Sequence, residues 1–584
     1  MRFLAVLFLS AFLAACSNDE PVSVPVPAPA KLIADQLFFN GPIITINDAQ
    51  PQVEALATKD GKIIATGDLE ALQLLTNTTT QQVDLAGKTL LPGFIDAHGH
   101  LALAAMNLAF ANVASPPVGP VNNIDDLLSE LTKSAASIAP GEWILGRSYD
   151  DSLLAEQRHP TKADLDKVST ENPVYIWHVS AHLGVCNTKC LQMIGVDENT
   201  ANPPGGVFQR IEGSNEPNGV MEEHAMYAAL MAIPAVTDPS KQMPLLLQAQ
   251  EWFIQHGITT VQDGATSAIG FPLMQAAANN DLFKIDVVAF PVWRDAEQVM
   301  NSGWPIGSYQ NRLKLGGVKL VLDGSPQGKT AWLSHPYHIP PAGKAADYAG
   351  YPSMQDEELE QELNKFYRKG WPVLAHTNGD AAIDQLLNAV DKARKDQGKA
   401  DRRTVLIHAQ TMREDQIDRT AEFDMIPSYF VSHTFYWGDW HRDSVLGPER
   451  GANISPLRST QLRNIPFTIH NDTPVVPPNM TRLLWTAVNR ITRSGKVLGP
   501  EQRVDVMTAL KAITINAAYQ YFEEDSKGSL EVGKRADLVI LSENPLTYPA
   551  EKLDKIEVVA TYKDGVSVYE KSVAVSHRPA EEAE

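Results

Sequence analysis

The stretch LLPGFIDAHGH, Leu90–His100, decides how the rest of the chain is interpreted. A short apolar run ends at Asp96, and two histidines follow, His98 and His100. Side chains at positions i and i+2 of a β-strand point the same way, so both imidazoles leave one face together. Imidazole is a good ligand for zinc and related divalent metals. A His-x-His pair alone indicates little, and its meaning depends on what later strands supply.

Eight strand-like runs alternate with helical patterns between residues 92 and 520. Near-continuous apolar strands that alternate with helices are typical of a parallel sheet covered by helices. Eight such units favour an α/β fold of the closed (β/α)8 TIM barrel type, and a doubly wound open sheet is the alternative. After the run that precedes His98, the runs are Gly257–Ala265, Lys284–Phe290, Leu315–Ser325, Trp371–Asp380, Thr404–Gln410, Met425–His433 and Pro466–Pro474.

Both ends of the chain are rich in strand patterns. Residues 31–91 contain ALATKDGKIIATG, in which Asp60-Gly61 is a strong hairpin signal. Residues 521–574 contain the strand RADLVIL and a second hairpin around Asp564-Gly565. Neither segment has enough strands to be stable alone. We therefore expect the two to pair into one small β-sandwich domain, followed by a tail at 575–584.

The segment between the first two strand-like runs is far longer than one crossover connection. Residues 110–240 are therefore expected to form an insertion over the barrel mouth, where loops after strands shape substrate sites. A helix is expected near Ile124–Ala139, a strand at Pro173–Val179, and a Gly/Pro-rich segment at Pro203–Val220. Only two cysteines, Cys186 and Cys190, follow Cys16. Disulfides therefore do not hold this fold, and the pairing of those two is left open.

The first residues have the pattern of a secretory signal. Arg2 precedes an apolar run at 4–15 that is too short to span a bilayer comfortably. The ending LAAC at Cys16 resembles a bacterial lipobox, in which the cysteine carries lipid; a signal peptide without lipid is the alternative. Ser17 in place of Asp predicts an outer-membrane lipoprotein. Residues 1–16 would be removed or processed, and the Pro-rich 17–30 would tether the folded domain in the periplasm or at the cell surface.

The formal net charge is −21. This charge argues against a nucleic-acid partner, because phosphate binding requires a basic surface. Solubility is the simpler explanation of the charge. The expected partners are a small-molecule substrate and, through Cys16, a membrane, while the oligomeric state is left open.

Polar side chains lie at the ends of four later strand-like runs. Lys319 lies inside VKLVLD and shares a face with Asp323; buried lysine tends to lose its proton, and an ion pair with Asp323 is the structural alternative. His376 ends WPVLAH, and His408 ends TVLIH. Asp472 follows PFTIHN, where it would also suit a helix N-cap. Singly each has an ordinary structural explanation, but together at one barrel mouth they form the expected arrangement of a divalent-metal site.

The ordered motifs resemble the amidohydrolase superfamily, in the amidohydrolase-3 branch that includes N-substituted formamide deformylase and YtcJ-like proteins. The resemblance covers residues 31–571, nearly the whole mature chain. No single motif is specific, but the ordered set is. The motifs are LPGFIDAHGH, GGVKLVLDGS, AHTNGD, LIHAQ, HNDTP and KGSLEVGKRADLVIL.

The resemblance implies a site for one or two divalent metals, with zinc the expected ion. The implied ligands are His98, His100, Lys319, His376, His408 and Asp472. His98 and His100 would bind the more buried metal with Asp472, and His376 and His408 the second. Lys319, carboxylated by carbon dioxide, would bridge the two; as a plain amine it would favour a single metal. Asp472 would also be the catalytic residue, which moves a proton from the attacking hydroxide to the leaving nitrogen.

The expected function is metal-dependent hydrolysis of a non-peptide carbon–nitrogen bond in an amide, formamide or cyclic amide. The alternatives are ester or phosphoester hydrolysis or deamination on the same metal site, and a non-catalytic ligand-binding lipoprotein. The complete ligand set disfavours the last of these. His182 in the insertion, with His178 behind it, is a candidate substrate-binding residue. His433 and Trp437, which follow the seventh strand, are two more.

Overall fold

The computed structural model describes residues 32–341 and 343–572. The predicted signal peptide at 1–16, the lipidation site Cys16, the tether at 17–30 and the tail at 575–584 lie outside these residues. Within the described part of the chain, no helix is both long and apolar enough to cross a membrane. Export and lipid attachment therefore stay predictions.

Two parallel sheets coincide with the eight strand-like runs of the sequence. Gly316 and Gly317 divide the fourth run into two strands, one in each sheet. The strands are buried almost throughout, as expected where helices cover a parallel sheet. The first sheet contains Phe94–Ile95, Ile258–Thr266, Asp286–Pro291 and Leu313–Leu315, and the second contains Val318–Val321, Val373–Thr377, Val405–His408, Ile426–Tyr429 and Thr468–Ile469.

Backbone hydrogen bonds join the two parallel sheets on both sides. On one side the Trp293 N–H donates to the Lys319 carbonyl at 2.8 Å. On the other side the Asp472 N–H donates to the His98 carbonyl at 3.1 Å, and the His100 N–H donates to the Thr473 carbonyl at 2.8 Å. The carboxyl ends of the first and last strands therefore lie side by side.

Helices between the strands cover the parallel sheets. Asp356–Arg368 is typical, because its acidic residues lie in the first turn and its basic residues in the last, which suits the helix dipole. Its buried side chains recur at helical spacing. The other helices around the sheets are Leu101–Asn107, Pro239–Ile254, Phe271–Asn279, Ala296–Met300, Asp380–Gln397, Glu414–Glu422, Leu457–Leu462, Met480–Asn489, Val506–Ala512 and Ile515–Gln520. Short helices at His433–Tyr436, Gly438–Trp440, His441–Val445 and Gly447–Ala452 follow the seventh run.

The two ends of the chain contribute to two further β-sheets. One contains Gln36–Phe39, Ala55–Lys59, Lys62–Gly67 and Gln81–Asp84. The other combines N-terminal Ile43–Ile44, Gln52–Val53 and Thr89–Pro92 with C-terminal Leu538–Leu541, Val558–Lys563 and Val566–Glu570. Both predicted hairpins are present, and both turn residues of each have positive φ, 48° and 75° at Asp60-Gly61 and 48° and 73° at Asp564-Gly565. Phe38 and Leu56 of the first sheet and Leu90 and Leu538 of the second belong to one hydrophobic cluster.

The insertion has a six-stranded sheet of its own. Its helix spans Ile124–Ala135, four residues shorter than the sequence suggested, and the Gly/Pro-rich segment forms an antiparallel hairpin. A disulfide joins Cys186 to Cys190, which answers the pairing question that the sequence left open. The strands are Ala111–Asn112, Ile144–Tyr149, Val174–His178, Leu183–Cys186, Gly206–Arg210 and Pro217–Glu223.

A buried ionic network joins the parallel sheets to the C-terminal segment. The carboxylate of Asp286, at the amino end of the third strand, lies 2.5 Å from Lys527 Nζ and 2.6 Å from Lys563 Nζ. Lys563 also pairs with Asp537 at 2.7 Å. Burial alone would raise the pKa of Asp286, but the two lysines outweigh it and hold the pKa far below its usual range. The carboxylate is therefore ionised, as buried lysine partners require.

Candidate metal centre

The carboxyl ends of five parallel strands carry the predicted metal ligands. His98 and His100 follow Phe94–Ile95, and Asp472 follows Thr468–Ile469. Lys319 lies within Val318–Val321, His376 within Val373–Thr377, and His408 ends Val405–His408. Because parallel strands end at one edge of a sheet, these side chains are brought to a single place.

His98, His100 and Asp472 form a compact group of potential ligand atoms. Asp472 Oδ1 lies 3.0 Å from His100 Nε2 and 3.4 Å from His98 Nε2. Asp472 Oδ2 lies 3.9 Å from His408 Nε2. The carboxylate therefore faces three imidazoles that come from two segments of the chain, His98 and His100 from one and His408 from the other.

His376 and His408 lie next to that group. Their ring centroids are 4.5 Å apart, and the rings of His408 and His98 are 5.7 Å apart. His182 of the insertion contacts His376, with ring centroids 5.2 Å apart. The structure thus places the two predicted pairs of histidines side by side, with Asp472 between them.

Lys319 points into the same group. Its Nζ lies 3.0 Å from His98 Nε2, and the side chain is 2% exposed. Burial lowers the pKa of Lys319 to about 7. The alternative partner Asp323 instead accepts hydrogen bonds from the backbone N–H groups of Asn378 and Gly379, at 3.0 and 2.7 Å. A neutral amine at this position is able to react with carbon dioxide, whereas an ammonium is not.

The protonation states of the predicted ligands suit the binding of a cation. Burial, reinforced by the positive charge of Lys319, lowers the pKa of His98 well below its usual range. Burial also lowers the pKa of His408, and the neighbouring His376 adds to this effect. Burial raises the pKa of Asp472, but the hydrogen bond to His100 and the interactions with the surrounding imidazoles outweigh it and hold the pKa well below normal. Neutral imidazoles around an ionised carboxylate are the donor set that divalent metals bind, so the residues present fit such an ion.

Close packing and neighbouring polar groups fix these ligands. Gln262 Oε1 binds His98 Nδ1, and Asp323 Oδ1 lies 3.1 Å from His376 Nδ1. Partners of this kind select the tautomer and orientation of a metal-binding histidine. Gly264 leaves room for His98, because a Cβ there would lie 2.5 Å from His98 Cε1. His408 and Asp472 have positive φ of 72° and 54°, a rare conformation that the surrounding structure must impose.

Comparison with known families decides the class of protein. Residues 81–569 match the profile described as the Amidohydrolase family. The chain belongs to the amidohydrolase family. It is a hydrolytic enzyme that acts on carbon–nitrogen bonds.

Curated relatives of this amidohydrolase span nearly its whole length. It is 26% identical over 555 residues to the N-substituted formamide deformylase of Arthrobacter pascens, an alignment that covers 92% of this chain and 99% of the relative. It is 28% identical over 560 residues to Protein LONG AFTER FAR-RED 3 of Arabidopsis thaliana, covering 93% of this chain and 92% of the relative.

Solved structures show the same fold. A metal-dependent hydrolase of Pyrococcus horikoshii superposes with a TM-score of 0.69 at 24% identity, covering 88% of this chain and 99% of that chain. A mutant of the atrazine chlorohydrolase TrzN from Arthrobacter aurescens, in complex with zinc and atraton, has a TM-score of 0.50 at 15% identity, covering 92% of this chain and 95% of that chain. The amidohydrolase therefore has the mixed α/β fold of these hydrolases.

The insertion of the amidohydrolase supplies an acid–base pair beside the metal centre. His182 Nδ1 lies 2.7 Å from Glu223 Oε2, and Glu223 is buried with a positive φ of 49°. Burial lowers the pKa of His182, but the carboxylate of Glu223 outweighs it and raises the pKa above its usual value. Glu223 therefore favours the protonated form of His182, whose ring lies against His376.

The other two predicted substrate-binding residues, His433 and Trp437, lie farther from the ligand group. Their ring centroids are 4.9 Å apart, and both contact Phe430, whose ring stacks on His470 at 5.5 Å. The Trp437 indole N–H donates to Asp150 Oδ2 of the insertion at 2.6 Å. Both predicted residues are 2% exposed, so they form a buried aromatic wall behind the centre.

Several residues of the site were not identified from the sequence. Gln262, Asp323 and His470 are buried and contact predicted ligands directly. His470 offers a signal, because it precedes Asp472 by two residues and so shares its side of the chain. Gln262 is a polar residue inside the apolar run GITTVQDGA. Asp150 gives no such signal, since its partner Trp437 is far away in sequence.

Proposed function

We propose that this amidohydrolase hydrolyses the carbon–nitrogen bond of a small N-substituted formamide or related amide, with one or two divalent metal ions, zinc foremost, in its site. The observation that carries the proposal is the convergence of three imidazoles on Asp472, with Lys319 against His98. The formamide class follows the name of the Arthrobacter pascens relative, which aligns over 99% of its length. The proposed ligands are His98, His100, Lys319, His376, His408 and Asp472.

The ligands would hold the metal in the arrangement that the sequence suggested. His98, His100 and Asp472 form one set, and His376 and His408 the other. A bound divalent ion lowers the pKa of water toward neutrality and polarises the scissile carbonyl. Lys319, as a neutral amine, would add to carbon dioxide through its nitrogen and release one proton to solvent, which gives a carbamate anion able to serve both sets. Without that anion, a single ion on the first set is the simpler state.

Two side chains of the chain would move or supply protons. Asp472 presents one carboxylate oxygen to His98 and His100 and the other to His408, and we assign it the proton that the attacking water loses. It would hand that proton to the departing nitrogen, which must leave as an amine. His182, kept protonated by Glu223, would donate a hydrogen bond to the substrate carbonyl oxygen as negative charge develops there.

The aromatic wall of Phe430, His433 and Trp437 would receive the nitrogen substituent. Phe430 and Trp437 belong to a hydrophobic cluster that also contains Val475 and reaches Val179 of the insertion. An apolar substituent would be desolvated there, and this would favour N-alkyl or N-aryl formamides over formamide itself.

The proposal extends to the architecture of the protein and to its location in the cell. We infer that the two parallel sheets form one closed (β/α)8 barrel, since hydrogen bonds join them on both sides. We infer a β-sandwich from the two terminal sheets, since they share a hydrophobic cluster. The segment MRFLAVLFLSAFLAAC supports export and a lipid anchor at Cys16.

The proposal is tested with a panel of N-substituted formamides, amides, cyclic amides, esters and phosphoesters, assayed after supplementation with zinc or manganese. Formamide and amide turnover is expected, and Asp472→Asn should lose at least a hundredfold in kcat, typical of a lost acid–base group. Asp418→Asn, an exposed carboxylate on Glu414–Glu422, is the matched control and should stay near the parent rate. Turnover of esters or phosphoesters alone would refute the assignment of the bond.

A further inference from the structure

A narrow cavity lies between the helix Leu101–Asn107 and the insertion. Leu103 and Asn107 line it from the helix, Trp177 and Val179 from the insertion, and Pro474 and Val475 from the loop after Asp472. The space open to the centre of a water-sized group is about 10 Å³. That is room for about one water molecule or one polar atom of a ligand.

Two residues that line this cavity each carry a buried polar atom with no hydrogen-bond partner within the described chain. The two atoms are the amide oxygen Oδ1 of Asn107 and the indole Nε1 of Trp177. Asn107 is 6% exposed and Trp177 is 5% exposed. Buried polar groups are almost always paired, because leaving one unpaired is costly. Their occurrence at one cavity indicates that a bound group completes them.

Two more polar side chains line the cavity, Ser148 and His178, and His178 is already engaged. His178 Nδ1 lies 2.7 Å from Ser180 Oγ, and its Nε2 lies 2.9 Å from Asp151 Oδ1. The bound group must accept a hydrogen bond from the Trp177 N–H and donate a hydrogen bond to Asn107 Oδ1. A hydroxyl does both with one oxygen, and it suits either orientation of the Asn107 amide. A carboxylate offers no proton, an ammonium accepts none, and Asp151 lies close enough to repel an anion.

The cavity adjoins the candidate metal centre. Val475 N–H donates to the Asp472 carbonyl at 2.8 Å, and Pro474 is two residues from Asp472, so their Cα atoms are at most about 7.6 Å apart. Leu103 follows His100 by three residues on the other side. A substrate that reacts at Asp472 would thus reach this cavity with a chain of a few atoms.

We propose that this cavity is a subsite for a terminal hydroxyl of the substrate, whose oxygen accepts from Trp177 Nε1 and donates to Asn107 Oδ1. The inference rests on the proposed function and narrows its substrate class to amides that carry an alcohol on a short chain. A substrate with a methyl group in its place would leave both polar atoms unpaired.

Matched substrate pairs test the subsite on the metal-loaded enzyme. N-(ω-hydroxyalkyl)formamides with two to five methylenes are compared with N-alkylformamides of equal length. One chain length should show kcat/KM about ten- to a hundredfold above its alkyl partner, as expected when a buried pair of polar groups is satisfied. Trp177→Phe and Asn107→Leu should each reduce this ratio of kcat/KM values between the hydroxyalkyl and the alkyl substrate. Trp252→Phe, on the helix Pro239–Ile254, is the control.

Each outcome bears on the subsite. Equal kcat/KM within every pair, unchanged in Trp177→Phe and Asn107→Leu, would show that the cavity holds a water molecule only, and would overturn the inference. If no formamide or amide is turned over, the proposed function fails by itself. Calorimetric titration of the parent with the same pairs then decides the subsite, since equal affinity within the pairs, or no binding, would overturn it.

Discussion

We expect Lys319→Met to raise the free energy of unfolding of the metal-free protein and to weaken metal binding. Lys319 is 2% exposed, and the group nearest its amine is the imidazole of His98 at 3.0 Å. No carboxylate lies within ion-pair distance of it in the described chain. Met has nearly the same length and no charge, so the variant keeps the packing and removes the buried amine.

The magnitude follows from the pKa of Lys319. Burial lowers this pKa from 10.5 to about 7, a difference worth about 5 kcal/mol. Below pH 7 the amine is charged in both folded and unfolded states, so the folded state bears the full cost. Between pH 7 and 10.5 the unfolded chain binds more protons, so the stability of the parent rises with pH. The free energy of unfolding of Lys319→Met should therefore exceed that of the parent by about 5 kcal/mol below pH 7, and the difference should fall toward zero above pH 10.5.

Urea unfolding of both metal-free proteins at pH 6, 8 and 10 measures this difference. Lys319→Arg is the comparison, because arginine stays charged and should be destabilised at every pH. Neither variant can form the carbamate, and both should bind less metal than the parent. If the difference in unfolding free energy between Lys319→Met and the parent does not vary with pH, Lys319 is not a buried amine with a lowered pKa.

Three further predictions concern other parts of the chain. Asp286→Asn should cost about 3–5 kcal/mol in urea unfolding near neutral pH, because it removes the carboxylate that two buried lysines share; the parent should lose this margin as pH falls below the ordinary carboxyl pKa, so equal acid sensitivity of both proteins would contradict it. Asp150→Ala should lower kcat/KM by leaving the Trp437 N–H unpaired, with Asp150→Asn retaining most activity, and equal losses in both would exclude positioning by that hydrogen bond. Cys16→Ala should release a soluble or unprocessed form on cell fractionation, and a processed form in the membrane fraction would exclude the lipid anchor.

The strands and their order along the chain could be predicted from the sequence, because a local pattern of apolar residues indicates each strand. Each of the eight apolar runs corresponds to a parallel strand, and the hairpins at Asp60-Gly61 and Asp564-Gly565 formed where turn residues required them. The predicted metal ligands were chosen for their positions at or near strand ends, and the family resemblance implied their roles. The family match over 81–569 confirms the superfamily that those motifs indicated.

Contacts between distant segments could not be predicted in the same way. Asp150 and Trp437 are 287 residues apart, and nothing local to either marks the other as its partner. His182 and Glu223 are joined only because two antiparallel strands of the insertion place them side by side. Asp323 was considered as a partner of Lys319, yet backbone N–H groups after His376 bind it more closely. Such pairings depend on the packed fold, which no short window of sequence contains.

Metal content and activity, measured on the same samples, test the central claim most directly. The purified enzyme is analysed for bound metals, exhaustively chelated, and assayed with N-substituted formamides before and after zinc or manganese is restored. The account predicts one or two divalent ions per chain, loss of turnover in step with metal removal, and recovery on reconstitution. The His98→Asn variant should not regain turnover when metal is restored. His256 lies just before the amino end of the strand Ile258–Thr266, so His256→Asn should regain turnover like the parent. Unchanged turnover after complete removal of metal would contradict the account.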